Sequence, residues 1–119
     1  MIDPQNLDEE TRKKIINLQN IQRSLEIISS QRLQMESALR ECELAIEELE
    51  KTEPDAVVYK SLGGILVKSN TNKLLDEKKS LKTTLNMRIK TLSQKEERTK
   101  QQFETMRNSL QKDLGGQNQ

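Results

Sequence analysis

Stepping alternately by four and three residues from Leu7, the chain presents Leu7, Thr11, Lys14, Leu18, Ile21, Leu25, Ile28, Arg32, Met35, Leu39, Cys42, Ile46 and Leu49. Most of these are apolar and the rhythm never slips, which is the a/d seam of a heptad-patterned helix; Thr11, Lys14 and Arg32 interrupt it. Asp3 is placed to cap the helix start with Pro4 at the first helical position, and Pro54 ends the helix, because the residue before a proline is pushed out of helical geometry. The pattern predicts a first helix over residues 4–53, with an arm of about 45 residues and so roughly 65–70 Å of rod at 1.5 Å per residue. A second seam reads Leu75, Lys78, Lys82, Leu85, Ile89, Leu92, Glu96, Thr99, Phe103, Met106 and Leu110. It predicts a helix over 72–114, with Asn70, Thr71 and Asn72 as candidate N-caps and Asp76 and Glu77 suited to the first turn. Gly115-Gly116 reads as a stop, leaving 115–119 as a disordered tail.

Two arms of matching length on either side of a short insert predict one domain over 1–119. It is mainly α, a helical hairpin folded back as a long antiparallel coiled coil. Seam positions face each other where their numbers add to about 124, so Leu49 meets Leu75, Leu39 meets Leu85, Met35 meets Ile89, Ile21 meets Phe103 and Leu18 meets Met106, within one helical turn. Charge agrees. Up to Pro54 there are 7 basic and 12 acidic residues, and from Asp55 onward 13 basic and 7 acidic, so the two arms attract. Each exposed pair contributes a few tenths of a kcal/mol. The basic second arm is alternatively a nucleic-acid patch. An acidic neighbour and the lack of interleaved aromatics disfavour that reading.

The insert breaks the helical pattern. Residues 55–70, DAVVYKSLGGILVKSN, are β-branched and apolar around Gly63-Gly64. Glycine accepts the positive φ of a two-residue hairpin turn, so the stretch predicts a β-hairpin with Leu62 facing Ile65, Lys60 facing Val67 and Val58 facing Ser69. One face then carries Val58, Leu62, Ile65 and Val67; the other carries Val57, Tyr59 and Leu66. A lone hairpin is marginal in water and its two open edges solicit further strands. No other segment of the chain is strand-like, so the missing strands come from other chains. Val57, Val58, Tyr59, Leu62, Gly63, Gly64, Ile65, Leu66 and Val67 are the candidate oligomerisation residues of an intersubunit sheet or barrel. The competing reading is a connecting loop docked on its own coiled coil.

Composition narrows the chemistry. With 33% charged, 32% hydrophobic and 2% aromatic residues, the chain is too poor in large apolar groups for a compact globular core and suits a coiled coil. Histidine is absent, which removes the commonest general base and metal ligand. A single cysteine, Cys42, at a seam position excludes an intramolecular disulfide and reads as a small core hydrophobe. The segment GGILVKS superficially matches a phosphate-binding loop, but that motif needs Gly directly before Lys-Ser, and here the residue is Val67. An enzyme is disfavoured, and no cofactor, metal, nucleic acid or membrane span is expected. A cytoplasmic location is the default expectation.

The helix–hairpin–helix layout, with VYKSLGGILVK between two long heptad arms, resembles the beta subunit of archaeal-type prefoldin over essentially the whole chain. A single hairpin resembles the beta rather than the alpha subunit. The resemblance implies a hexamer of two alpha and four beta subunits. Their hairpins build a β-barrel body, and their coiled coils bind non-native polypeptides without ATP and pass them to a group II chaperonin.

Client binding needs apolar side chains held where they can adapt to many sequences. At the arm ends these are Ile2, Leu7, Ile15, Ile16, Phe103, Met106, Leu110 and Leu114. Leu7, Leu110 and Leu114 are expected to be partly exposed at a poorly closed seam, and one of Ile15 and Ile16 to show. Phe103 and Met106 have a competing reading as ordinary seam knobs. The runner-up function is a coiled-coil adaptor that oligomerises through its hairpin and binds one folded partner.

Overall fold

The structure, a computed structural model, describes residues 8–117. Four elements follow one another: helix α1 (Glu9–Lys51), strand β1 (Val58–Leu62), strand β2 (Ile65–Ser69) and helix α2 (Thr71–Gln117). The chain packs as two units, Leu33–Thr91 and Met1–Arg32 with Leu92–Gln119, called here the hairpin unit and the terminal unit.

The start of α1 is set by Asp8. Its carboxylate accepts the Thr11 N–H at 2.7 Å and its carbonyl accepts the Arg12 N–H at 3.1 Å. The Thr11 side chain first, and this backbone hydrogen bond second, hold the Asp8 carboxyl below its ordinary value. The cap expected at Asp3-Pro4 lies outside the described residues. At the other end Thr52 donates its hydroxyl to the Glu48 carbonyl at 2.7 Å, which satisfies an orphan acceptor of the last turn. The helix stops at Lys51, two residues before the expected boundary.

Helix α2 is capped by Asn70, whose side-chain oxygen accepts the Lys73 N–H at 2.8 Å. It does not stop at Gly115: the helix continues to Gln117. The expected stop needs glycine in the left-handed region. Among the described residues only Gly63 and Gly64 take a positive φ. A glycine permits such a cap without imposing it.

In the hairpin unit the seam is apolar at its centre, with Lys78 and Lys82 half-buried at two of its α2 positions. Cys42, Ile46 and Leu85 are its buried centre, with Met35, Ala38, Leu39 and Leu75 packed around them. The Cys42 thiol donates to the Lys78 carbonyl at 3.1 Å, so the sulfur both fills the seam and satisfies its weak donor. The helices close on the hairpin side through the Thr71 hydroxyl, which donates to the Glu53 carbonyl at 3.2 Å.

The terminal unit is built differently. Ile28 and Leu110 are buried there, and so are Thr11, Glu96 and Thr99. Arg32 donates to Glu96 across the seam at 2.8 Å, and Lys100 stands 3.6 Å from the same carboxylate. Lys14 donates to Ser109 at 3.0 Å and to Asp113 at 2.5 Å. The three interruptions of the first seam, Thr11, Lys14 and Arg32, thus all turn inward. The links Lys14 to Ser109, Glu53 to Thr71, Arg32 to Glu96 and Cys42 to Lys78 all fall within one helical turn of the antiparallel register expected from the heptads.

Candidate assembly and client-binding surfaces

The hairpin forms in the register that its glycines dictate: Val58 pairs with Ser69, Lys60 with Val67 and Leu62 with Ile65. Gly63 and Gly64 turn with φ of 52° and 86°, a region that L side chains enter only at a cost. Among the described residues the sheet has two strands and no more, so each strand keeps one open edge. Its apolar groups are bare: Leu66 is 72% exposed, Ile65 64%, Val57 61% and Tyr59 57%, with Leu62 and Val67 also exposed. Val57 lies one residue outside β1. On the face that carries Val58, only Val58, Lys60 and Ser69 are half-buried.

A polar link ties the hairpin to its own chain. Lys60 reaches Glu77 of α2 at 2.9 Å, and that contact first of all holds the Glu77 carboxyl below its ordinary range. Beside it, Tyr59 and Ser61 of β1 and Leu74, Lys78 and Leu81 of α2 border an open groove of about 740 Å³. Leu81 is left 41% exposed on its rim. Sequence reading missed the Lys60–Glu77 link. The available signal was a strand lysine preceding a helix whose first turns carry two adjacent acids.

The arm-end residues do not form one patch. Ile16 is 55% exposed, Ile15 is half-buried and Leu114 is half-buried. Phe103 and Met106 are half-buried seam residues, and Arg107 lies over the Phe103 ring, 6.0 Å from its centre. Leu110 corrects the expectation: it is buried, not exposed. Lys14 draws the seam shut by holding Ser109 and Asp113, the residues that bracket Leu110 on α2. Ile2 and Leu7 lie outside the described residues.

The described residues gather no cluster of His, Cys, Asp or Glu able to hold a metal ion. Among them, no helix is long and apolar enough to cross a membrane.

Two heptad-paired helices joined by a two-stranded sheet with bare faces and open edges define a class: coiled-coil proteins carrying an incomplete sheet at the helix junction. Within that class the chain belongs to the prefoldin subunit family, whose sequence pattern matches residues 12–117. It is similar to the prefoldin subunit beta of Archaeoglobus fulgidus, at 38% identity over 87% of this chain and 89% of that protein. It is also similar to the prefoldin subunit beta of Methanococcoides burtonii, at 32% identity over 92% of this chain and 94% of that one. The crystal structure of the prefoldin beta subunit from Thermococcus strain KS-1 superposes with a TM-score of 0.80 at 27% identity, covering 92% of this chain and 96% of that chain. Family membership brings a chaperone-type role.

Proposed function

We propose that the protein is an ATP-independent holdase subunit of a beta type, assembling through its hairpin with alpha and further beta subunits, two alpha and four beta in all. The observation that carries this reading is the bare, two-edged sheet at the helix junction. Strands with open edges and apolar faces gain by pairing with strands of other chains, and burial is worth about 25 cal/mol per Å² of apolar area. The paired helices are then free to hold a non-native polypeptide near their ends. Ile16 is the exposed contact there, supported by the half-buried Ile15, Leu114, Phe103 and Met106, and by Ile2 and Leu7. Leu110, being buried, is left out of the set. Clients pass to a group II chaperonin in the cytoplasm. Binding needs no nucleotide, because it rests on apolar contact and adaptable side chains.

The test is aggregation of a chemically denatured model protein, followed by light scattering after dilution into buffer with the purified chain, with and without an alpha-type partner. Suppressed scattering, lost when both chain ends are trimmed while the oligomer persists, is the expected result. Unchanged scattering under both conditions overturns the holdase reading. Retention of a single folded partner with indifference to denatured proteins would favour a coiled-coil adaptor instead.

A further inference from the structure

Two shallow grooves of the terminal unit, about 650 and 420 Å³, share Ile21 and Gln102 and so form one continuous channel along a single side of the helix pair. On α1 its border is Asn20, Ser24, Ile27 and Gln31; on α2 it is Lys95, Arg98, Gln102, Thr105 and Ser109. These spacings of three and four place each set on one helix face. Ile21, Ile27 and Met106 supply apolar surface, and Ile27 is 53% exposed.

The lining is one-signed. Among the described residues neither groove is lined by Asp or Glu. The charge of Lys14 is met by Asp113. Lys95 and Arg98 make no ion pair among the described residues, so their cationic groups remain available. From Lys14 to Gln31 the channel runs about 25 Å at 1.5 Å per residue. An extended peptide of roughly seven or eight residues spans that length at 3.3 Å each.

We propose that this channel, between Lys14–Gln31 of α1 and Lys95–Ser109 of α2, is a binding site for extended polypeptide segments that mix apolar and acidic side chains. The inference rests on the holdase reading and specifies which client segments the coiled coil takes. Asn20, Ser24, Gln31, Gln102 and Thr105 offer donors and acceptors to an extended main chain without reading its sequence. Ile21, Ile27 and Met106 take apolar side chains, and Lys95 and Arg98 select carboxylates and repel basic segments. Among the described residues this surface shares Met106 with the arm-end set, while Ile15, Ile16, Phe103 and Leu114 do not line it.

The test uses the full-length chain assembled with its alpha-type partner and two fluorescent, unstructured ten-residue peptides of the same apolar content, one carrying four Glu and the other four Lys. Anisotropy titration is expected to show the acidic peptide binding at least tenfold more tightly than the basic one. Arg98→Glu should weaken the acidic peptide tenfold or more, and Ile27→Asn severalfold. Lys90→Glu, an equal charge change on α2 away from the channel, should act within twofold. Equal loss in Arg98→Glu and Lys90→Glu, preference for the basic peptide, or displacement of the acidic peptide by a homopolymeric RNA at matched charge concentration with no effect of Ile27→Asn would each overturn the proposal. Helix content by circular dichroism accompanies each variant. Aggregation suppression by the unmodified assembly, measured in parallel, separates the two failures: if it persists while the peptides ignore Arg98, only the channel assignment falls.

Discussion

Arg32 and Glu96 sit at seam positions where a heptad calls for apolar groups, and the structure joins them across the helices at 2.8 Å. An ion pair here contributes specificity more securely than net stability, because desolvation offsets much of the attraction. Losing Arg32 is costlier, since the carboxylate it faces, Glu96, is buried. The hydrogen bond from Arg32 is the main cause of the Glu96 carboxyl being held below its ordinary value of 4.5, and Lys100 adds to it. A carboxyl depressed in this way contributes stability that is present above that ordinary value and is lost as pH falls through the lower folded value. Arg32→Gln is therefore expected to destabilise the chain by about 1–3 kcal/mol near neutrality. The gap in thermal midpoint from the parent should narrow as pH falls below the ordinary carboxyl value and close once the lowered folded value is passed. Circular dichroism melts across pH check this, and a gap that stays constant into acid would remove the pair from the explanation. Sequence pattern placed both residues on the seam but marked them only as an interruption and a weak spot. Their partnership depends on which turn of α2 each turn of α1 meets, and a period of 3.5 leaves that offset open by a turn.

At the scale of elements the hairpin and the helices differ in what holds them. The helices are held by a seam internal to the chain, while the hairpin is held by its turn, its ladder and one lysine–glutamate contact. Leu62 and Val58 make up much of the apolar face expected to meet other subunits. Leu62→Asp or Val58→Asp is expected to dissociate the assembly, read by sedimentation velocity, while helix content by circular dichroism is unchanged. A charge buried at such an interface costs several kcal/mol unless it finds a partner. An intact oligomer with both changes would show that the opposite face, with Tyr59 and Leu66, is the one covered. The hairpin, its register and its glycine turn were legible beforehand because alternation and positive φ are local properties. The helix ends were less so. Asp8 is the observed cap of α1, where Asp3 was expected, and α2 runs past Gly115. Several residues at each end satisfy the same local rule, and neighbours choose among them.

At the scale of the whole molecule the two packing units have seams of different chemistry. Cys42, Ile46 and Leu85 make the hairpin unit apolar at its centre. In the terminal unit Thr11, Glu96 and Thr99 occupy positions as buried as Ile28 and Leu110. Buried polar groups gain little net free energy from their hydrogen bonds compared with packed methylenes, so the terminal unit opens more readily. Native-state hydrogen exchange is expected to show greater protection of seam amides in 35–49 and 75–89 than in 14–28 and 96–110. Uniform protection over both would contradict that ranking. A readily opened seam would suit the proposed holdase role, in which one surface adapts to many sequences.

Heptad spacing, the Pro54 break and the glycine-centred insert determined by themselves that this protein is a helical hairpin with an incomplete sheet at its junction. Each of these is a periodicity or a backbone restriction carried by neighbouring residues. Only tertiary structure decided that Leu110 is buried where Lys14 holds Ser109 and Asp113, that Arg32 finds Glu96, and that Lys95 and Arg98 flank a channel lined, among the described residues, by no carboxylate. Those outcomes depend on which side chains two distant stretches bring opposite each other, and the pattern within either stretch does not contain that information.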